Sequence, residues 1–207
     1  MKLTYKKGKG NKIHISIDGE YSLTVDEMYF ASLYLKDGQE ITPEEFTELS
    51  EAINIRRAYN CAVSLLSRRD HSKKELMRKL TEKGYAEGAA QAIERLCESG
   101  YVDDERFCRL YASELVRMKG YGKRRVEQEL YLKGIDREII SNVLDEFAFD
   151  TDKLSDIIER KYLSKMTDEK NRQKAFNALF RLGYTYSEIR DALENLQKEI
   201  TCEVYDE

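Results

Sequence analysis

The residues of this 207-residue chain with most capacity for chemistry are cations, gathered in two places. Arg68 and Arg69 precede a run that holds Lys73, Lys74, Arg78 and Lys79, and about fifty residues later Arg117 and Lys119 precede Lys123, Arg124 and Arg125. On a helix, residues three and four apart share a face, so Lys74 and Arg78 present charge together, and Arg124 or Arg125 lies beside Gln128 or Glu129. Cations so placed meet phosphates or carboxylates, with an affinity that salt weakens. A charge run on a helix is most often only a solvated face. Its recurrence at the same place in two segments makes these eleven residues the candidates for a partner- or DNA-binding surface.

Other chemistries lack their parts. His14 falls on the outward face of a hairpin pattern and His71 beside a helix cap, which predicts surface positions without a nucleophile or carboxylate partner. Asp103, Asp104 and Glu105 stand where a helix begins, so capping and the helix dipole explain them better than a metal does. Cys61, Cys97, Cys108 and Cys202 contain no C-x-x-C pair and no histidine at ligand spacing, and read as reduced thiols. Gly-x-Gly occurs at Gly8 to Gly10 and at Gly120 to Gly122, without the lysine and serine of a phosphate loop. Tyr85, Tyr101 and Tyr121 each follow a glycine at a helix end, where an aromatic can stack on a base but more often packs over the end, the reading favoured here. The expectation is a protein with no catalytic residue, metal or cofactor.

Composition sets the outer bounds. Charged residues make up 36% and hydrophobic ones 41%, with a single proline, a mix that favours exposed helices. The net charge of −4 excludes a coat protein basic all over, so any nucleic-acid contact must be local. No apolar run approaches the roughly 20 residues that span a bilayer, and Met1 to Lys12 is polar, which predicts a cytoplasmic protein without a membrane partner.

The elements that must carry the cations begin after an N-terminal hairpin. Ile13, Ile15 and Ile17 alternate on one strand, and Tyr21, Leu23 and Val25 on the next, joined through Asp18 and Gly19. For both sets to share a face, Ile17 must lie opposite Tyr21, through three connecting residues or a bulge rather than the tightest loop. Met28, Leu33 and Leu35 then mark a short helix ending at Gly38. Thr42, Pro43 and Glu45 open a longer one with a capping box, running through Phe46, Leu49 and Ile53 toward Leu66.

From there the chain repeats. Gly84, Gly134 and Gly183 recur at spacings of 50 and 49, each preceded by an apolar residue four back (Leu80, Leu130, Leu179) and eight back (Leu76, Val126, Ala175). Ala90 and Ile93, Ile140 and Val143, and Ile189 and Ala192 follow, starting the inner face of another helix. Upstream helices carry Ala62, Leu65 and Leu66, then Tyr111, Leu115 and Val116, then Leu154, Ile157 and Ile158. Ser72 with Glu75, Asp136, and Thr185 with Glu188 supply caps. The pattern predicts a mainly α protein: three tandem three-helix repeats at 58–102, 103–149 and 150–207 in an elongated curved array, behind a β-hairpin and helices at 1–57.

The stretches Ser72-Lys73-Lys74-Glu75-Leu76, Lys83-Gly84-Tyr85, Gly100-Tyr101-Val102-Asp103-Asp104-Glu105-Arg106-Phe107 and Lys119-Gly120-Tyr121-Gly122-Lys123-Arg124-Arg125-Val126 resemble the RecX family of recombinase regulators over residues 58 to 147. The resemblance implies a cytoplasmic protein that binds the RecA recombinase filament on single-stranded DNA and inhibits its ATP turnover and strand exchange. Two other readings fit tandem three-helix units. One is a helix-turn-helix-like module that binds single- or double-stranded DNA unaided, which the excess of acidic over basic residues, 39 to 35, disfavours. The other is a general α-solenoid scaffold. The repeat pattern shows no large apolar patch, so a monomer is expected.

Overall fold

A computed structural model describes the backbone of residues 1–149, 151–166 and 168–205, and the side chains of these except at 151, 165 and 197–205. Cys202 therefore lies outside the described side chains. The chain divides into two units, Met1–Val102 and Asp103–Glu207. The first begins with an antiparallel sheet of three strands, β1 (Leu3–Lys7), β2 (Lys12–Ile17) and β3 (Glu20–Asp26), in that order. The alternation of β2 and β3 is as read from the sequence, with Ile13 opposite Val25 and Ile15 opposite Leu23, all buried. Past Ile15 the predicted register fails. Ile17 faces Glu20 rather than Tyr21, because the tight Asp18-Gly19 turn, both residues at positive φ, is kept and the extra residue is absorbed as a bulge one step further in. Tyr21 is consequently 66% exposed. The strand β1 went unread: it offers one buried aliphatic, Leu3, and pairs with β2 through its backbone.

Helix α1 (Glu27–Ser32) stops well before Gly38. Asp26 caps it by accepting the Tyr29 amide, which sets its phase so that Tyr29 and Phe30 face the sheet while Met28 stays exposed. Helix α2 (Pro43–Leu66) has the predicted start and finish, with both bonds of the Thr42–Glu45 capping box formed. Its first half covers the sheet through Phe46, Leu49 and Ile53. Its second half passes through residues 57 and 58 without a break and contributes Tyr59, Ala62 and Leu66 to the next core, shared with α3 (Lys73–Glu82) and α4 (Ala89–Glu98). Leu76, Leu80 and Ile93 are buried there, but Ala90 is exposed, because Gly88 starts α4 in a phase that turns Ala89 and Ala92 inward.

In the second unit, α5 (Asp104–Glu114), α6 (Lys123–Leu132) and α7 (Arg137–Glu146) enclose one core, and α8 (Thr151–Lys161), α9 (Glu169–Arg181) and α10 (Tyr186–Tyr205) enclose another. Asp103 accepts the amides of Glu105 and Arg106, Asp136 that of Glu138, and Thr185 that of Glu188, as the capping pattern predicts. The helix α5 runs on into a five-residue π-helical turn, Leu115–Lys119, that lets both Leu115 and Val116 point inward. The mainly α architecture of repeated three-helix units behind a small sheet is thus present.

Gly183 ends α9 at φ 97°, a left-handed cap, but its position is constrained by more than its backbone angle. A Cβ there would stand 2.4 Å from the Arg125 amide nitrogen, and one on Gly122 would stand 2.8 Å from the Gly183 carbonyl carbon. The Gly122 amide donates to the Leu182 carbonyl at 2.8 Å, and the Tyr184 hydroxyl to the Gly120 carbonyl at 3.1 Å. Gly84 is also left-handed, at φ 79°, with nothing within 4 Å of where its Cβ would be. In urea unfolding followed by helical circular dichroism, Gly84→Ala should therefore lose only about 1–2 kcal/mol for the left-handed backbone. Gly183→Ala should lose at least twice that, and equal losses would refute the contact.

Candidate functional site

In the first unit Lys73, Lys74 and Arg78 lie exposed on α3, whose capping serine, Ser72, sets where the helix begins by accepting the Glu75 amide. Lys79 is half-buried one turn on. Arg78 pairs with Glu82 at 2.6 Å, but both side chains are more than half exposed, and such pairs contribute about 0–1 kcal/mol, so a ligand can displace this one. Arg69 is held differently. Its guanidinium grips the carboxylate of Glu75 with two bonds, 2.7 and 3.0 Å, and that carboxylate also takes a 2.9 Å bond with His71 Nδ1. The Glu75 and His71 side chains are 7% and 3% exposed, which corrects the expected surface position of His71 and its lack of a carboxylate partner. The Ser72 cap folds the first turn of α3 over the imidazole, and Arg69 balances the buried charge of Glu75. Arg69 is thereby committed to structure, whereas among the described residues Arg68 and Lys74 take part in no ion pair.

In the second unit the cations gather at the start of α6 and the end of the π-helical turn. Lys123 Nζ bonds Asp145 of α7 at 2.9 Å, an exposed pair in which the ammonium holds the Asp145 carboxyl below the usual carboxylate range. Arg125 is more deeply tied, bonding Glu129 at 2.6 Å and Gln128 at 2.9 Å, with the Glu129 side chain only 19% exposed. Lys119 and Arg125 both stand 5.6 Å from the centre of the Tyr121 ring. Arg124 stands 6.0 Å from the ring of Phe180 on α9, and Arg117 lines a cleft with Lys153, Arg160 and Lys161 of α8. Arg181, Lys153, Arg160 and Lys161 were not singled out from the sequence. Each sits in an ordinary amphipathic helix, and only the packing of α8 and α9 beside α6 groups them.

Of the tyrosines, Tyr85 and Tyr121 pack on their cores as expected, but Tyr101 is 61% exposed. Cys108 is buried, which pushes its thiol up to about 11 and leaves it unreactive at neutral pH. Among the described residues no helix is long and apolar enough to cross a membrane, and no group of histidine, cysteine and acidic side chains is placed to hold a metal.

Residues 58–96 match the description "RecX, first three-helix domain", and residues 103–144 match "RecX, second three-helix domain". The regulatory protein RecX of Caldanaerobacter subterraneus subsp. tengcongensis is 33% identical over 189 residues, which cover 91% of this chain and 95% of that one. The regulatory protein RecX of Listeria monocytogenes serotype 4a is 30% identical over 197 residues, covering 91% of this chain and 72% of the relative. The fold is similar to a crystal structure of a regulatory protein RecX, with a TM-score of 0.63 over 91% of this chain and 97% of that one at 20% identity. It is also similar to RecX from Lactobacillus salivarius, with a TM-score of 0.64 over 70% and 98% at 22% identity.

Burial lowers the pKa of His71 below the ordinary histidine value, an effect that outweighs its bond to Glu75 and to which the nearby Arg69 and Lys79 add. The unfolded chain therefore takes up this proton first as pH falls. The stability His71 contributes is fully present above about pH 6.5 and is lost as pH drops from there through the lower folded value. Urea midpoints should fall between pH 7.5 and 5.5, and His71→Asn should flatten that part of the slope. An unchanged slope in the variant would show that His71 does not titrate with folding.

Proposed function

This chain belongs to the RecX family of regulatory proteins, and on that premise we propose that it binds the RecA recombinase filament on single-stranded DNA and restrains its ATP turnover and strand exchange. The observation that carries the surface assignment is a correspondence between the two matched domains. Their middle helices, α3 and α6, both open on a lysine, Lys73 and Lys123, and both place an exposed cation ten residues before the closing glycine, Lys74 and Arg124. A filament repeats its surface at regular intervals, so a chain that repeats its basic helices meets it more than once. Linked weak contacts then add through effective concentration, and affinity for the filament exceeds that for free recombinase. Binding is the whole mechanism in this reading, with no bond made or broken.

The candidates divide by their present partners. Lys74, Arg78, Arg117, Lys119, Lys123 and Arg124 are exposed and open to a partner, with Arg68 beside them; Lys73 is exposed and Lys79 half-buried, while Arg69 and Arg125 are engaged by Glu75 and Glu129. Recombinase ATP hydrolysis on single-stranded DNA should fall as the protein is titrated in, well below one molecule per recombinase. Lys123→Ala with Arg124→Ala should raise the concentration for half inhibition about tenfold, as the loss of roughly 1.4 kcal/mol of contact requires. No inhibition at any ratio would sink this reading in favour of a scaffold for some other protein.

A further inference from the structure

The cations at the start of α6 do not face open solvent alone. They form one wall of a groove whose other wall is the end of α9, and the groove is lined by Arg124, Arg125 and Arg181 together with Tyr121, Tyr162 and Phe180. Among the described residues no carboxylate lines it. Arg125 is offset by Glu129, but among the described residues Arg124 and Arg181 pair with no acid. In a chain of net charge −4 this is a local concentration of positive charge. The second feature is apolar: Phe180 is 56% exposed, an unusual exposure for phenylalanine, and Arg124 lies over its face. Tyr186 on α10, 66% exposed and 5.4 Å from Phe176, continues the aromatic surface on the far side of Phe180.

We propose that this groove between α6 and α9 is a binding site for an unpaired nucleic-acid strand, with Arg124 and Arg181 on its phosphates and Phe180 stacked against a base. Two properties select this ligand. Arginines without acidic neighbours call for a polyanion. An exposed aromatic ring in the same groove suits a ligand that shows both phosphates and bare ring faces, as an unpaired strand does and a duplex does not. The groove is also concave, whereas a duplex is read by convex elements entering its own grooves. The third three-helix repeat thereby gains a direct role, because it supplies Phe180 and Arg181. The site is independent of the recombinase and adds to the reading above a contact with the strand on which a filament forms.

The test is fluorescence anisotropy of a labelled oligothymidylate with the full chain, without recombinase, over a series of salt concentrations. Binding should weaken with salt, and Arg124→Ala with Arg181→Ala should reduce the slope of log affinity against log salt by about 1.4, two phosphate contacts on a single strand. Phe180→Ala should weaken binding about tenfold with little change in slope, and Phe180→Tyr should restore it. Absence of oligothymidylate binding at low salt, or variants that bind as the wild type does, overturns the inference. If the same variants lose recombinase inhibition while the wild type binds no oligonucleotide, the groove receives an acidic protein surface and the regulator reading survives alone. If the strand binds as described but recombinase is not inhibited, the inference stands and the regulator reading falls.

Discussion

The second unit depends on a place where two backbones touch. Gly122 and Gly183 lie so close that neither has room for a Cβ, and the contact is closed by the Gly122–Leu182 and Tyr184–Gly120 hydrogen bonds. The two three-helix cores beside it are separate. This seam joins them, beside the approach of Gly120 to Ile157 of α8, and its geometry determines which side chains become neighbours. With the start of α6 held against the end of α9, Arg124 lies over Phe180, and Arg181 joins Arg125 along one groove. Wherever the seam moved, the candidate surface would move with it.

Charge on this chain is divided between structural and available groups by the burial of the partner. Arg69 and Arg125 face carboxylates that are largely withdrawn from water, where removing either partner leaves an uncompensated charge. Arg78 and Lys123 face carboxylates that are more than half exposed, where water screens the pair and a competing anion replaces it at little cost. A mildly acidic protein can therefore carry strongly basic patches without clamping them shut. The acidic excess limits indiscriminate nucleic-acid binding elsewhere on the surface.

Much of this architecture was legible because its signals are local. The glycines at 84, 134 and 183, the apolar residues four and eight positions before them, and the Thr42 capping box are properties of single helices, and each is found as read. The losses are cases where contacts outside the apolar pattern decide. Leu3 to Lys7 became a strand because β2 offered a free edge, and Ile17 missed Tyr21 because the bulge that the alternation allowed falls at Ile15/Ser16, behind a tight Asp18-Gly19 turn. His71 was drawn inside by Glu75 and Arg69, a cluster formed at a helix start where the Ser72–Glu75 cap was read but the second use of the Glu75 carboxylate was not. The eleven candidate cations were named from sequence, but their division into committed and available groups was not, since it follows from the burial of acids elsewhere.

Gly120-Tyr121-Gly122 shows why a motif needs its context. A spacing that fails as a phosphate loop is not thereby idle: one glycine ends the π-helical turn at positive φ, the other admits the backbone of the next repeat, and the tyrosine between them sits beneath two cations. Such a segment transmits position. A side chain on Gly122 must push the end of α9 away from α6, whereas one on Gly120 would meet Ile157 of α8; the first change would separate Arg124 from Phe180 before it disturbed either hydrophobic core. Binding by this unit is therefore expected to be more fragile than its folding, because the groove is built across the seam while the cores are built on either side of it.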